Sequence, residues 1–95
     1  MQIRISSNTV EITGNIKTVS DYQEIKTTFD SLKTTSKKIT IIIVDSLSIT
    51  SSVIGYFNKL ILKDKIDITM RVGNDQLLEI FDDLSLKELF HATKV

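Results

Sequence analysis

The chain has no cysteine, no proline and no tryptophan, a single histidine and three glycines. Each shortage removes a class of chemistry. Without cysteine there is no disulfide framework, no thiolate metal site and no thiol nucleophile. With His91 as the sole imidazole, a metal site lacks converging ligands and a serine nucleophile lacks an oriented base. His91 reads instead as a surface or rim side chain near a frayed C-terminus. Gly14, Gly55 and Gly73 stand apart from one another, so no glycine-rich loop is present to cradle a phosphate. Asp82 and Asp83 are adjacent and point in different directions on a helix, which makes them a solvated helix end rather than a carboxylate pair.

Charge of one sign is also missing. Twelve Lys and Arg balance twelve Asp and Glu, leaving no net field to attract nucleic acid or an anionic membrane. Basic stretches such as Lys37-Lys38 carry no interleaved aromatics for base stacking. The longest apolar run, Ile41 to Val44, is far too short to span a bilayer, and the opening MQIRISSN has no signal-peptide core. The expectation is a small cytoplasmic protein that is not an enzyme, holds no cofactor or metal, and inserts in no membrane. Its 95 residues suit one domain, residues 1–95, as a monomer or weak dimer.

What is present is an alternation of periods. Ile3 and Ile5, then Val10 and Ile12, alternate with polar residues, the mark of two half-buried strands joined by a tight turn at Ser6 to Asn8. Gly14-Asn15 ends the second. Val19, Tyr22, Ile25, Phe29 and Leu32 then recur at helical spacing, with Ser20 and Gln23 placed as a capping box. Ile39 to Val44 is nearly all apolar and β-branched, as a strand covered on both faces requires. A helix from about Ser51 to Lys63 follows, with Ile54, Phe57, Leu60 and Ile61 inward. Ile66, Ile68, Met70 and Val72 form a fourth strand, and Asn74 opens a short helix carrying Leu77, Leu78, Ile80 and Phe81. Ser85 and Glu88, flanked by Leu84 and Leu89, have the spacing of a final capped helix. This is an α/β order: one sheet of about four strands with helices mainly on one face.

Ser48, Thr50, Ser51 and Ser52 crowd the junction where the central strand ends and a helix begins. In open α/β sheets, ligands and partners bind beyond that end of the strands. Two readings stand open. The hydroxyls are helix caps, or one of them is an address modified and read by a partner.

Three segments in order resemble the STAS domain, the fold of bacterial anti-sigma-factor antagonists. Gly14-Asn15-Ile16 looks like the family's glycine turn after the second strand. Thr50-Ser51-Ser52-Val53-Ile54-Gly55 is similar to its Asp-Ser-Ser/Thr-Gly-Leu-Gly motif. Leu78 to Leu89 resembles its closing helical segment. The resemblance implies a phosphoprotein controlling transcription through protein–protein interaction. A serine kinase that is itself the anti-sigma factor would modify Ser51, or its neighbour Ser52, and bind only the unmodified form. Lys17, Thr50, Ser51, Ser52 and Val53 are then the partner-binding residues. Lys17 and Thr50 stand where the family has aspartates, which moves the site from negative toward neutral or positive. The alternative is a divergent STAS subunit with a structural role in a larger assembly, such as a lipid-transport ATPase complex, without phosphorylation.

Overall fold

The computed structural model describes residues 1–95. The elements run β1 (Gln2–Ser6), β2 (Thr9–Thr13), α1 (Val19–Leu32), β3 (Lys38–Ile43), α2 (Ser51–Leu62), β4 (Asp67–Val72), α3 (Asp75–Asp83) and β5 (Ala92–Lys94). They make an α/β fold with one five-stranded sheet in the order β1-β2-β3-β4-β5. β1 and β2 are an antiparallel hairpin, and every later neighbour is parallel.

That order dictates the layering. Each strand–helix–strand crossover steps to the same side, and right-handed connections that always step one way lay every helix on one face. Burial agrees. Val10, Ile12, Ile39, Ile41, Ile43, Ile68, Met70 and Val72 are all at most 1% exposed and share the helix-covered face. Their neighbours Glu11, Thr40, Thr69 and Arg71 lie on the other, open face, half-buried or exposed. β3 is therefore not covered on both faces as its composition suggests. Ile42 occupies the open face between Glu11 and Arg71, half-buried by its neighbours in the sheet. A β-branched side chain in a central strand gains contacts from cross-strand partners even without a helix above it.

Three helices and the turn before β5 seal the covered face with the chain's four phenylalanines, all fully buried. Phe29 meets Phe57 at 5.5 Å, Phe57 meets Phe90 at 6.1 Å, and Phe90 meets Phe81 at 5.4 Å, each edge to face. Such pairs add about 0.5–1.5 kcal/mol beyond simple burial. Along the rim of α1 and α2, Asp30 accepts from Lys26 at 2.6 Å and from the Tyr56 hydroxyl at 2.7 Å. Lys33, the C-cap of α1, bridges Asp30 at 3.5 Å and Asp64 at 3.0 Å, tying the end of α1 to the turn that follows α2. The Lys26 ammonium, then the Tyr56 hydroxyl, hold the Asp30 carboxyl down at about 2. Burial, then the same carboxylate, pushes the Tyr56 phenol upward.

Four sequence expectations are corrected. α1 is capped by Thr18 rather than Ser20, because Asp21 completes the box from the Thr18 side, accepting from Thr18 N–H at 3.1 Å and Lys17 N–H at 3.0 Å. Val19 consequently becomes the first helical residue and lies 74% exposed instead of facing the core. The final capped helix is absent. Ser85, with φ of 59°, is the left-handed residue that ends α3. Leu86 N–H returns to the Phe81 carbonyl at 2.7 Å and Ser85 N–H to Asp82 at 3.0 Å, the paired bonds of a Schellman motif. A single turn then leads to β5, a fifth strand that holds the C-terminal segment in the sheet instead of leaving it frayed.

Two predictions follow from this packing. A Cβ at Gly73 would sit 1.9 Å from the Val44 carbonyl oxygen, whereas one at Gly55 meets nothing within 4 Å. Gly73→Ala therefore costs about 1–3 kcal/mol or more through backbone displacement, and Gly55→Ala inside α2 adds about 0.5–1 kcal/mol, both read by equilibrium urea unfolding. For acid stability, Asp30 titrates near 2 when folded against about 3.9 unfolded. Its contribution is complete above the unfolded value and is lost as pH falls through the interval between the two. Asp30→Asn should flatten that part of the pH–stability curve while leaving the neutral-pH slope unchanged.

Candidate functional site

The parallel strands β2, β3 and β4 all end at one pole, and the loops leaving them are tied together by polar contacts. Asp45, two residues past β3, accepts from Gly14 N–H at 2.7 Å. Gly14 can turn there because it has φ of 91°. Ser46 is the only buried polar residue of the chain. Its hydroxyl oxygen accepts from Ile16 N–H at 3.0 Å, and the hydroxyl donates to the Ser48 carbonyl at 2.7 Å. Leu47 N–H donates to Asn15 Oδ1 at 3.0 Å, and the Ser48 hydroxyl donates to the Ile16 carbonyl at 3.1 Å. The loop after β2 and the loop after β3 are thus clasped in both directions.

The third loop joins through Asn74. Its Nδ2 donates to the Ser46 carbonyl at 2.8 Å, while its Oδ1 caps α3 by accepting from Leu77 N–H at 2.8 Å. Gly73 N–H donates to the Ile43 carbonyl at 2.9 Å.

Within this frame the four clustered hydroxyls separate by duty. Ser48 is spent on the clasp. Thr50 is the N-cap of α2, its Oγ1 accepting from Val53 N–H at 3.2 Å. Ser51 and Ser52 are the first two helical residues, exposed, and their hydroxyls bond to no protein group. Their own backbone N–H groups belong to the first turn, which has no intrahelical acceptors and carries the positive end of the helix dipole.

Lys17 is exposed beside clasped Ile16 and forms no ion pair, so it supplies a free cation to the same loop cluster. Its neighbour Asp21 is held below the usual carboxylate range, first by the Lys17 backbone N–H. Val53 departs from the sequence expectation. It is fully buried, so its side chain belongs to the core and not to a partner surface. The period explains this: Val53 lies three and four residues before Tyr56 and Phe57, on the buried stripe of α2.

Sequence reasoning passed over Ser46, the residue that organises the pole. The available signal was Asp45-Ser46 directly after an apolar strand, facing Gly14-Asn15 from the neighbouring strand's end. The pole also carries exposed apolar side chains, Val44 at 39%, Leu47 at 48% and Val19 at 74%. His91 lies at the far end of the sheet, its Nδ1 2.8 Å from the Ile68 carbonyl. It borders an open hollow of about 930 Å³ with Asp82, Ser85, Lys87 and Glu88. No three His, Cys, Asp or Glu side chains converge as a metal-binding group, and no helix is long and apolar enough to cross a membrane.

No protein-family model matches the chain, and no match to a curated protein was found.

The division of duties predicts a ranking measurable by equilibrium unfolding. Ser46→Ala leaves buried Ile16 N–H unpaired and should cost about 1–3 kcal/mol. Thr50→Ala should cost about 0.5–2 kcal/mol as a lost cap. Ser51→Ala and Ser52→Ala should stay within about 0.5 kcal/mol of the parent. A large loss at Ser51 would contradict the assignment of the cap to Thr50.

Proposed function

We propose that the chain is a non-enzymatic, STAS-like regulatory binding domain of the anti-sigma-factor-antagonist kind, switched at Ser51. The observation that carries this reading is that Thr50 caps α2, leaving the Ser51 hydroxyl exposed and without a structural task. A hydroxyl so placed can be modified without cost to the fold.

A phosphate there adds about −1.5 to −2 charges at neutral pH. The unpaired amides of the first turn and the helix dipole stabilise that charge, with Lys17 as the free cation of the adjoining loop. The unmodified pole offers the opposite character: uncharged hydroxyls beside exposed Leu47, Val44 and Val19. A partner that buries those side chains around an uncharged Ser51 binds well, and a dianion in the same interface repels it by its desolvation cost. The partner class is a serine kinase that also acts as the anti-sigma factor.

The same apolar side chains support a second reading, a structural STAS subunit held permanently in a larger assembly such as a lipid-transport ATPase complex. There the apolar pole is covered at all times and Ser51 carries no phosphate.

Mass spectrometry of the protein isolated from its own cell, together with capture of its partner by tagged variants, separates the two. The switch reading expects phosphoserine at residue 51. It also expects Ser51→Asp to weaken capture about tenfold or more, with thermal stability unchanged and Ser51→Ala binding like the parent. No phosphoserine, with equal capture by all variants, transfers the assignment to the permanent subunit.

A further inference from the structure

The two edges of the sheet are finished differently. β5 is three residues long, and Lys94, aligned with buried Val72, places a charge on the helix-covered side, where it pairs with Asp75 at 3.2 Å. A short edge strand with an inward charge resists the addition of another strand. β1 has neither device. Ile3 and Ile5 are aligned with Ile12 and Val10, so both lie on the covered side, yet Ile5 is 54% exposed.

The backbone of β1 is open as well. A two-residue turn, Ser7-Asn8 with Ser7 at φ 57°, makes Ser6 and Thr9 the closing hydrogen-bonded pair. Alternation then turns the N–H and C=O groups of Gln2, Arg4 and Ser6 toward β2, and those of Ile3 and Ile5 outward. An open hollow of about 670 Å³ lies at this edge, lined by Met1, Gln2, Ile3, Arg4, Thr13 and Glu24.

We infer that β1 is a self-association edge, pairing antiparallel with β1 of a second copy of this chain to join the two sheets. Outward-facing residues must meet outward-facing residues, which leaves few registers. Centring the pair on Arg4 sets two guanidinium groups opposite each other and is disfavoured. Centring it on Ile5 sets Ile3 against Ser7 of the second copy, in the turn. Centring it on Ile3 sets Ile3 against Ile3, Ile5 against Met1 and Arg4 against Gln2 of the second copy. This last register covers exposed Ile5 with an apolar side chain and separates the like charges. Twelve cationic against twelve anionic side chains leave no net charge to oppose the meeting of two copies.

The twofold axis of such a pair is perpendicular to the sheet. It keeps both helix layers on one side and turns the two Ser51 poles to opposite ends, so the pairing does not depend on what Ser51 does.

Sedimentation equilibrium over a wide concentration range, with far-UV circular dichroism as a check on folding, tests the inference. The parent chain should sediment as a reversible dimer. Ile5→Lys, at a largely exposed position, should raise the dimer dissociation constant at least about tenfold with an unchanged spectrum. Ile5→Thr should do so to a smaller degree while keeping strand propensity. In the Ile3-centred register, Gln2→Glu meets Arg4 and tightens the dimer, and Gln2→Lys loosens it. A parent chain that stays monomeric throughout, or a dimer indifferent to Ile5→Lys, overturns the inference. A dimer sensitive at Ile5 but indifferent to both Gln2 variants overturns the register.

Discussion

A buried hydroxyl holds together the pole at which the parallel strands end. Ser46 stands where the loops after β2 and β3 meet out of reach of water, a position that leaves polar backbone groups without solvent partners. Its one oxygen accepts from the first loop through Ile16 N–H, while its proton goes to its own loop at the Ser48 carbonyl. Asn74 brings in the third loop through the Ser46 carbonyl. Because the hydroxyl serves as donor and acceptor at once, no apolar side chain can take its place without stranding a buried amide. The register of three loops, and with it the entry of α2, rests on that residue.

The rest of the architecture delivers those loops to one place. Parallel strands that advance in one direction across a sheet put their carboxyl ends at the same pole and their helices on the same face. The core is consequently a single layer of sheet side chains under three helices, closed by the phenylalanine chain from Phe29 to Phe81. The opposite face stays polar apart from Ile42. A one-sided sheet concentrates its apolar side chains where the helices lie, which is why 20 of its 21 buried residues form a single cluster.

Much of this was legible in the chain itself. The change from period two to a helical period located β1 through α3, and the run Thr50 to Gly55 located the pole. The misses share a cause: short polar motifs have more than one structural meaning. Thr18-x-x-Asp21 and Ser20-x-x-Gln23 are both capping boxes in outline, and the winner was decided by which side chain reached back to the preceding amides: the Asp21 carboxylate accepts from Lys17 and Thr18 N–H. Ser85 carries an N-cap residue type but ends a helix, because Leu86 and Phe81 bring the chain back onto the core in a left-handed turn. β5 was hidden by its brevity, since three residues hold too little alternation to register as a period. Ser46 was hidden because burial of a serine is a tertiary fact, set by the loop from β2 some thirty residues earlier in the chain.

One consequence concerns how such a surface changes over generations. The residue that secures the start of α2 is Thr50, and its bond to Val53 N–H is indifferent to what occupies the next two positions. Uncharged, helix-compatible substitutions at 51 and 52 therefore change the folding equilibrium by no more than about 0.5 kcal/mol, and strong pressure to keep serine there has to come from outside the molecule. Under the switch proposed for Ser51, a lineage that lost such a partner would lose those serines by drift while keeping Ser46 and Thr50. One that acquired a new partner could rewrite both positions without first accumulating compensating changes in the core.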